Sequence, residues 1–469
     1  MIKPVILWTD ILIFLLTAVV IAFIYYARSK PHIRAPWKRV FTGKVAAASV
    51  VVLLAFVLAG LLDSMHFRLP LESNSDSDET HYAGEVLSVL DILVGPLRTQ
   101  VEKTYSAPFA THLFSRETIE QSDGSKVRAY PRLVYGGHHL DNPGHDRLAD
   151  ILQRSLLAVA ETLLASGLLM FVMAFWLARR HRQPLRIISL DIIKGRLAIP
   201  WRTILLVLSL LLLLVFLAIN LAAAYHVLGT DKVGQDVFYL TLKSIRTGLV
   251  IGTLTTLIML PFAIFMGIIA GYARGWIDDI VQYVYTTLNS IPGVLLIAAA
   301  ILMLQVFIAN HSDYFETTVE RADIRLLFLC IILGITSWTG LCRLLRGETL
   351  KLREAEYIQA AMSFGVPHRK IMTRHILPNV MHVVLITVVL DFSGLVLAEA
   401  VLSYVGVGVD PTMNSWGNMI NGARLEMARE PVVWWSLLAA FLFMFILVLA
   451  ANLFSDAVRD AFDPRTRDR

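Results

Sequence analysis

Nine stretches of this chain are apolar for long enough to cross a lipid bilayer, and that pattern removes most alternatives. They fall at about residues 9–27, 45–62, 154–178, 203–225, 246–270, 280–307, 325–347, 380–402 and 434–455, and roughly 20 helical residues span the hydrocarbon. In lipid the backbone must satisfy its own hydrogen bonds, so each run is expected to be a helix. Of 469 residues, 56% are hydrophobic and only 17% charged, which excludes a string of soluble domains of this length. The expectation is an all-α, multi-pass membrane protein.

The net charge of +5 does not point to nucleic acid, because the cations lie in short loops between runs, where they orient helices. Basic loops run from Arg28 to Lys44 and through Arg179, Arg180, Arg182, Arg186, Lys194, Arg196 and Arg202. Others hold Arg274, then Arg343, Arg346, Lys351, Arg353, Arg369, Lys370 and Arg374, and finally Arg459, Arg465, Arg467 and Arg469. Every second loop is basic, which predicts an N-terminus outside and a C-terminus inside. The acidic loop with Asp313, Glu316, Glu320 and Asp323 then falls outside. Trp8, Trp176, Trp201, Trp276, Trp434 and Trp435 lie near run ends, where interfacial aromatics belong. Only Lys3 precedes the first run and no small-residue cleavage pattern follows it, so it reads as an uncleaved helix. Cys330 and Cys342 give neither a disulfide framework nor metal spacing.

The chain divides into two N-terminal helices (1–62), an extracytoplasmic segment (63–152), a third helix (153–178), a basic cytoplasmic linker (179–202) and a six-helix core (203–469) with a long loop at 348–378. In the outer segment Ser73 to Thr80 is expected to be flexible, and Val86 to Val94 to be a short surface helix. Gly136-Gly137 and Asp141-Asn142-Pro143-Gly144 mark turns. His138, His139, Asp141, His145 and Asp146 have metal-binding chemistry. Adjacent histidines in a turn are more often solvated, and no metal site is assigned.

The loop reads Glu356-Tyr357-Ile358-Gln359-Ala360-Ala361-Met362-Ser363-Phe364-Gly365-Val366-Pro367. Tyr357, Ile358, Ala361, Met362 and Gly365 share helical spacing, and Gly365 with Pro367 supplies a stop. The residues alone leave two readings open: a helix lying on the lipid surface, or one whose small Ala360 and Ala361 let another protein approach.

The segment resembles the cytoplasmic "EAA" loop of ATP-binding-cassette importer permeases, through Gln359-Ala360-Ala361, Gly365 and Ile376-Leu377-Pro378, with Gln in place of the family's first Glu. Gly229-Thr230-Asp231-Lys232-Val233-Gly234-Gln235-Asp236 is similar to the G-T-D-x-x-G-R-D segment of the dipeptide, oligopeptide and nickel branch. Further similarities are Ser337-Trp338 with Arg343 and Arg346, Leu402 to Gly408, Trp416-Gly417-Asn418-Met419, and a tail running from Asn452-Leu453 to Asp463-Pro464-Arg465, the last looking like the "C"-type partner of a permease pair. The resemblance covers about residues 180–469. It implies a type I importer permease core of six helices, with three added helices and an outer domain.

The resemblance further implies that Tyr357, Gln359, Ala360, Ala361, Gly365, Leu377 and Pro378 dock an ATPase subunit. Gly229, Thr230, Asp231 and Trp416 are the matching residues expected on the outer side. The implied partners are a second permease, two ATPase subunits, an extracytoplasmic substrate-binding protein and membrane lipid, in a bacterial inner membrane, with peptides the leading cargo. No phosphate-binding G-x-x-x-x-G-K-[ST] loop occurs, so no cofactor is expected on this chain, ATP and Mg belonging to partner subunits. Within the membrane Asp391, Glu399 and Pro292 are the candidate path residues. Ionisable groups at depth are functional candidates, although Glu399 lies where a structural hydrogen bond suits it. Pro292 is expected to kink the sixth run or to start a helix. Rival readings are an ion-driven secondary transporter, which needs no docking loop, and a membrane sensor or scaffold working through its outer segment.

Overall fold

The computed structural model describes residues 3–70, 82–120, 126–311 and 317–462. Ser73 to Thr80, Asp313, Glu316 and the Asp463-Pro464-Arg465 tail lie outside the described residues.

Among the described residues nine helices are long and apolar enough to span a membrane. They are α1 (Trp8–Ser29), α2 (Lys44–Asp63), α3 (Pro143–His181), α4 (Trp201–Ala222), α5 (Val237–Ala273), α6 (Gly293–Asn310), α7 (Thr318–Arg353), α8 (Leu377–Tyr404) and α9 (Trp435–Phe462). Each corresponds to one apolar run. The sixth differs in detail: instead of one kinked helix, the chain forms an amphipathic helix Trp276–Ser290, breaks at Ile291, and restarts as α6 with Pro292 as its N-cap. The break is what proline imposes. The residue before it is pushed to extended backbone (Ile291 φ −88°, ψ 128°), and the missing N–H is harmless at a helix start.

The helices fall into two compact units that interleave in sequence. One contains Met1–Val5, Lys38–Arg246 and Asn414–Ala450; the other contains Ile6–Trp37, Thr247–Met413 and Ala451–Arg469. In the first unit, α3 packs along α4, and α2 along α4. The outer segment belongs to this unit. It contributes to two small sheets that its sequence did not announce: β2 (His66–Arg68) and β3 (Leu87–Ser88), joined by β1 (Lys3–Val5) from the N-terminal end, in the antiparallel order β1-β2-β3, and a hairpin of β4 (Glu117–Glu120) and β5 (Lys126–Ala129). Where a surface helix was expected over Val86 to Val94, the chain instead forms β3 and a one-turn helix Val89–Leu93. A reciprocal capping box of Ser88 and Asp91 closes that turn.

In the second unit α7 is the centre, touching α1, α6 and α8. It starts at Thr317, whose hydroxyl accepts the N–H of Glu320. Leu326, Leu329, Cys330, Leu341, Cys342 and Leu345 are all fully enclosed along its length. Helix α1 is fastened to α7 by the Thr9 hydroxyl and N–H, which both donate to Asp323.

Candidate functional site

The loop at 348–378 is built on one anchor. Leaving α7, the chain turns at extended Ala355 and forms the helix Glu356–Ser363. Ile358 on that helix is fully buried, as are Ile371 and Ile376 beyond it. The three share a cluster with Tyr272, Val281, Trp338 and Leu345. The helix ends in a Schellman closure: the N–H of Val366 donates to the Ala361 carbonyl at 3.1 Å, and that of Gly365 to Met362 at 3.0 Å. Gly365 has φ +72°, and nothing lies within 4 Å of where a Cβ would be. Glycine is therefore required there by backbone handedness and not by space. Pro367 then opens the turn His368–Ile371, and a single π-helical turn, Met372–Ile376, leads into α8. Such turns interrupt regular helices at strained or functional places.

The anchor decides which side faces out. Tyr357 is 48% exposed and Phe364 is 86% exposed; with exposed Ala360 they follow an i, i+3, i+7 spacing that makes one outward face. Gln359 is also exposed, its amide reaching back to the Glu354 carboxylate at 3.3 Å. Ala361 turns the other way and packs, half-buried, against the chain's own cluster, as do Met362 and Leu377. Pro378 is exposed. The seven residues carried over from the resemblance thus divide into an outward group (Tyr357, Gln359, Ala360, Gly365, Pro378) and an inward pair (Ala361, Leu377). Phe364 was absent from that set. Its signal was its place seven residues after Tyr357, which is informative only once Ile358 is known to be the buried side. Arg369, Lys370 and Arg374 are exposed beyond Gly365, so this face is apolar with a basic border.

The other sequence motif, Gly229 to Asp236, is a closed loop. Gly229 and Gly234 have φ +71° and +79°. A Cβ on Gly234 would lie 1.7 Å from the Glu102 carbonyl oxygen, and one on Gly229 2.5 Å from that of Ser106. The Thr230 hydroxyl donates to the Thr104 carbonyl at 2.8 Å and accepts the Ser106 N–H at 2.6 Å. Trp435 Nε1 donates to the Thr230 carbonyl at 2.9 Å. Asp231 folds back to accept the N–H groups of Val233 and Gln235, and burial outweighs these bonds to raise its pKa. Trp416 is buried, donates from Nε1 to the Thr241 carbonyl at 3.1 Å and meets Phe56 edge-on. In this chain Gly229, Thr230 and Gly234 of the motif hold the outer segment.

Glu102 completes that attachment, and the sequence reading missed it. Its carboxylate accepts the N–H groups of Val134, Tyr135 and Gly136 at 2.9, 2.8 and 3.1 Å. It lies 3.5 Å from His226, whose other ring nitrogen is 2.8 Å from Asp236. Burial alone would raise the Glu102 pKa, but His226 and the three amides outweigh it and hold the carboxyl at about 2. Burial would likewise lower that of His226, but Asp236 and Glu102 push it up to about 9. Asp236 also caps α5 through the N–H groups of Phe238 and Tyr239. A second buried cluster joins Lys243 to Asp63 at 2.5 Å and Asp91 at 3.1 Å, with Tyr239 donating to Asp91.

Among the membrane candidates, Glu399 is buried and accepts the Ser403 hydroxyl at 2.7 Å. Pro292 caps α6 at an exposed position. Asp391 is half-buried and, among the described residues, makes no hydrogen bond or ion pair. In the outer segment His139 is paired with Asp150 at 2.9 Å, together with Arg154.

Residues 263–468 match the family described as binding-protein-dependent transport system inner membrane component. The chain is 32% identical over 243 residues to the oligopeptide transport system permease protein OppC of Haemophilus influenzae, covering 52% of this chain and 71% of that relative. It is 32% identical over 244 residues to the glutathione transport system permease protein GsiD of Pectobacterium atrosepticum, covering 52% and 73%. With OppC of Mycobacterium tuberculosis it shares 33% identity over 242 residues, covering 52% and 77%.

Proposed function

We propose, given that this chain belongs to the family of binding-protein-dependent transport system inner membrane components, that its cargo is di- and oligopeptides. It is the transmembrane permease subunit of an ATP-binding-cassette importer, a multi-pass protein of the bacterial inner membrane, and a transport component and not an enzyme. Hydrolysis of ATP is the work of partner ATPases. The peptide assignment rests on the relatives' names. We further assign two ATPase subunits, a second permease that closes the path, and a substrate-binding protein that delivers cargo outside. This chain itself holds no cofactor.

One observation carries the residue-level reading: a short helix pinned from behind by Ile358, Ile371 and Ile376 presents Tyr357, Ala360 and Phe364 outward. A face held rigidly on α7 and α8 can pass movement to those helices, whereas a mobile loop would absorb it. The face belongs in an apolar groove of the ATPase. Proteoliposomes of the full complex should accumulate labelled tripeptide only with ATP inside and binding protein outside. Accumulation driven by an ion gradient without ATP would establish a secondary transporter instead.

Asp391 is assigned to the water-filled path, because a carboxyl with no protein partner at membrane depth is tolerable only where water reaches it. Asp391→Leu should therefore lower peptide uptake at least several-fold with ATPase binding unchanged; wild-type uptake would place the side chain off the path.

Sidedness has its own test. A cysteine at exposed Thr118 should react with an impermeant maleimide in intact spheroplasts, and one at exposed Gln183 only after lysis. Native Cys330 and Cys342 are buried and give no background. The reverse pattern would overturn the orientation read from the basic loops.

A further inference from the structure

Between α3 and α4 the chain forms the helix Leu185–Lys194. Its inner side is settled: Ile188 and Ile192 are enclosed with Ala174, Leu177 and Ala178 of α3 and Leu205 of α4. Those partners belong to the membrane-spanning runs themselves, so the helix is folded back onto the ends of two spans, at the depth where hydrocarbon gives way to headgroups. Both corners are fixed by left-handed residues, Arg182 at φ 51° and Gly195 at φ 66°.

The outer side combines two features that do not suit water. Ile187, Leu190 and Ile193 are 48%, 44% and 53% exposed, and Arg186 and Lys194 lie on the same side at helical spacing. Around them, seven Lys and Arg residues occur between positions 179 and 202 against one acid, Asp191. All seven are exposed and, among the described residues, none has an ion-pair partner. The guanidinium groups of Arg179 and Arg180 lie 4.6 and 5.1 Å from the rings of Phe175 and Trp176, an arrangement suited to the interface. A soluble anion would answer the charge and leave the apolar side chains in water. A neutral lipid would do the opposite. Only an amphiphile with a negative head answers both.

We propose that this corner is a binding site for anionic phospholipid of the cytoplasmic leaflet. Arg182, Arg186, Lys194 and Arg196 hold the headgroup phosphate, and Ile187, Leu190 and Ile193 lie against the acyl chains.

The test uses the full chain in phosphatidylcholine nanodiscs doped with phosphatidylglycerol. Native mass spectrometry after partial delipidation should find phosphatidylglycerol retained over phosphatidylcholine by about tenfold, as expected for several cations near a lipid surface. The variant R182Q/R186Q/K194Q/R196Q should bring that ratio close to parity, and inorganic phosphate should not displace the lipid. Equal retention of the two lipids by the wild type, undiminished preference in the variant, or displacement by inorganic phosphate would each overturn the proposal. A second measurement needs no charge change: a nitroxide at Leu190→Cys should be more accessible to oxygen than to an aqueous nickel chelate, and the opposite result would also overturn it. None of these readouts depends on transport, so they stand apart from the permease reading.

Discussion

Phe364→Ala is expected to cut ATP-driven uptake at least tenfold while the protein still inserts and folds. The ring is 86% exposed in this chain and makes no part of the cluster around Ile358, so removing it takes nothing from the loop's own stability. Buried in a partner groove, a Phe side chain contributes about 1.5–3 kcal/mol, and central aromatic anchors commonly dominate an interface. The corresponding loss in affinity is roughly 10- to 150-fold. The double change Tyr357→Ala/Phe364→Ala should go further and separate hydrolysis from transport. Co-purification of the ATPases and substrate-stimulated hydrolysis in vesicles measure both effects. Undiminished docking and stimulation in the double variant would remove this face from the interface. Ala361→Arg is the contrast: that side chain packs inward, so it should damage the loop itself, lowering thermal stability before any partner is added.

Glu102→Ala is the second large effect. Its carboxylate satisfies three amides, that of Gly136 buried and those of Val134 and Tyr135 part-buried, and faces His226. Removing it leaves those donors without an acceptor and a buried cation with one partner fewer, a loss of about 3–5 kcal/mol. Amides of residues 133–137 should then exchange much faster with solvent while α5 and α7 stay protected. Unchanged exchange there would show that the carboxylate is not what holds the segment. The same pair sets a pH range. Glu102 falls from 4.5 to about 2, so its contribution is complete above the unfolded value and is lost as pH drops towards 2. His226 rises from 6.5 to about 9, so its contribution is complete below 6.5 and is lost as pH climbs through 9. Protection of the outer segment should therefore be greatest near pH 5–6.5, decline as pH rises from 6.5 to about 9, and decline again in acid as pH falls from 4.5 towards 2.

What the sequence revealed follows from what each feature depends on. The spanning helices were legible because lipid demands length and apolarity, both local properties. The break at Pro292 was half legible: the proline was visible, but whether the chain bends or restarts depends on what packs beside it. The strands of the outer segment were not legible, because they are two to four residues long and too short to show alternation. The inward turn of Ala361 and the outward turn of Phe364 were not legible for one reason. A short helix has an inside only by virtue of its anchor, and the partners of Ile358 come from distant helices. Glu102 and His226 were invisible as a pair because nothing local marks two charged residues so far apart in the chain as neighbours.

That distance has a consequence in time. Tyr105 is bonded to Glu426, 321 residues later, and Phe114 rests edge-on against Trp435 at 4.8 Å. At roughly 5–20 residues per second, the ribosome reaches these later positions on the order of 15–60 s after it has made the outer segment. Throughout that interval Tyr105 and Phe114 lack these two partners and have only earlier neighbours such as Ala107, Leu228 and Val237. The segment must wait, held by Thr230 and His226 but with this side uncovered, for the last span to be threaded. Pausing or truncation before α9 would strand it with its apolar side chains uncovered, and quality-control proteases would meet that surface first.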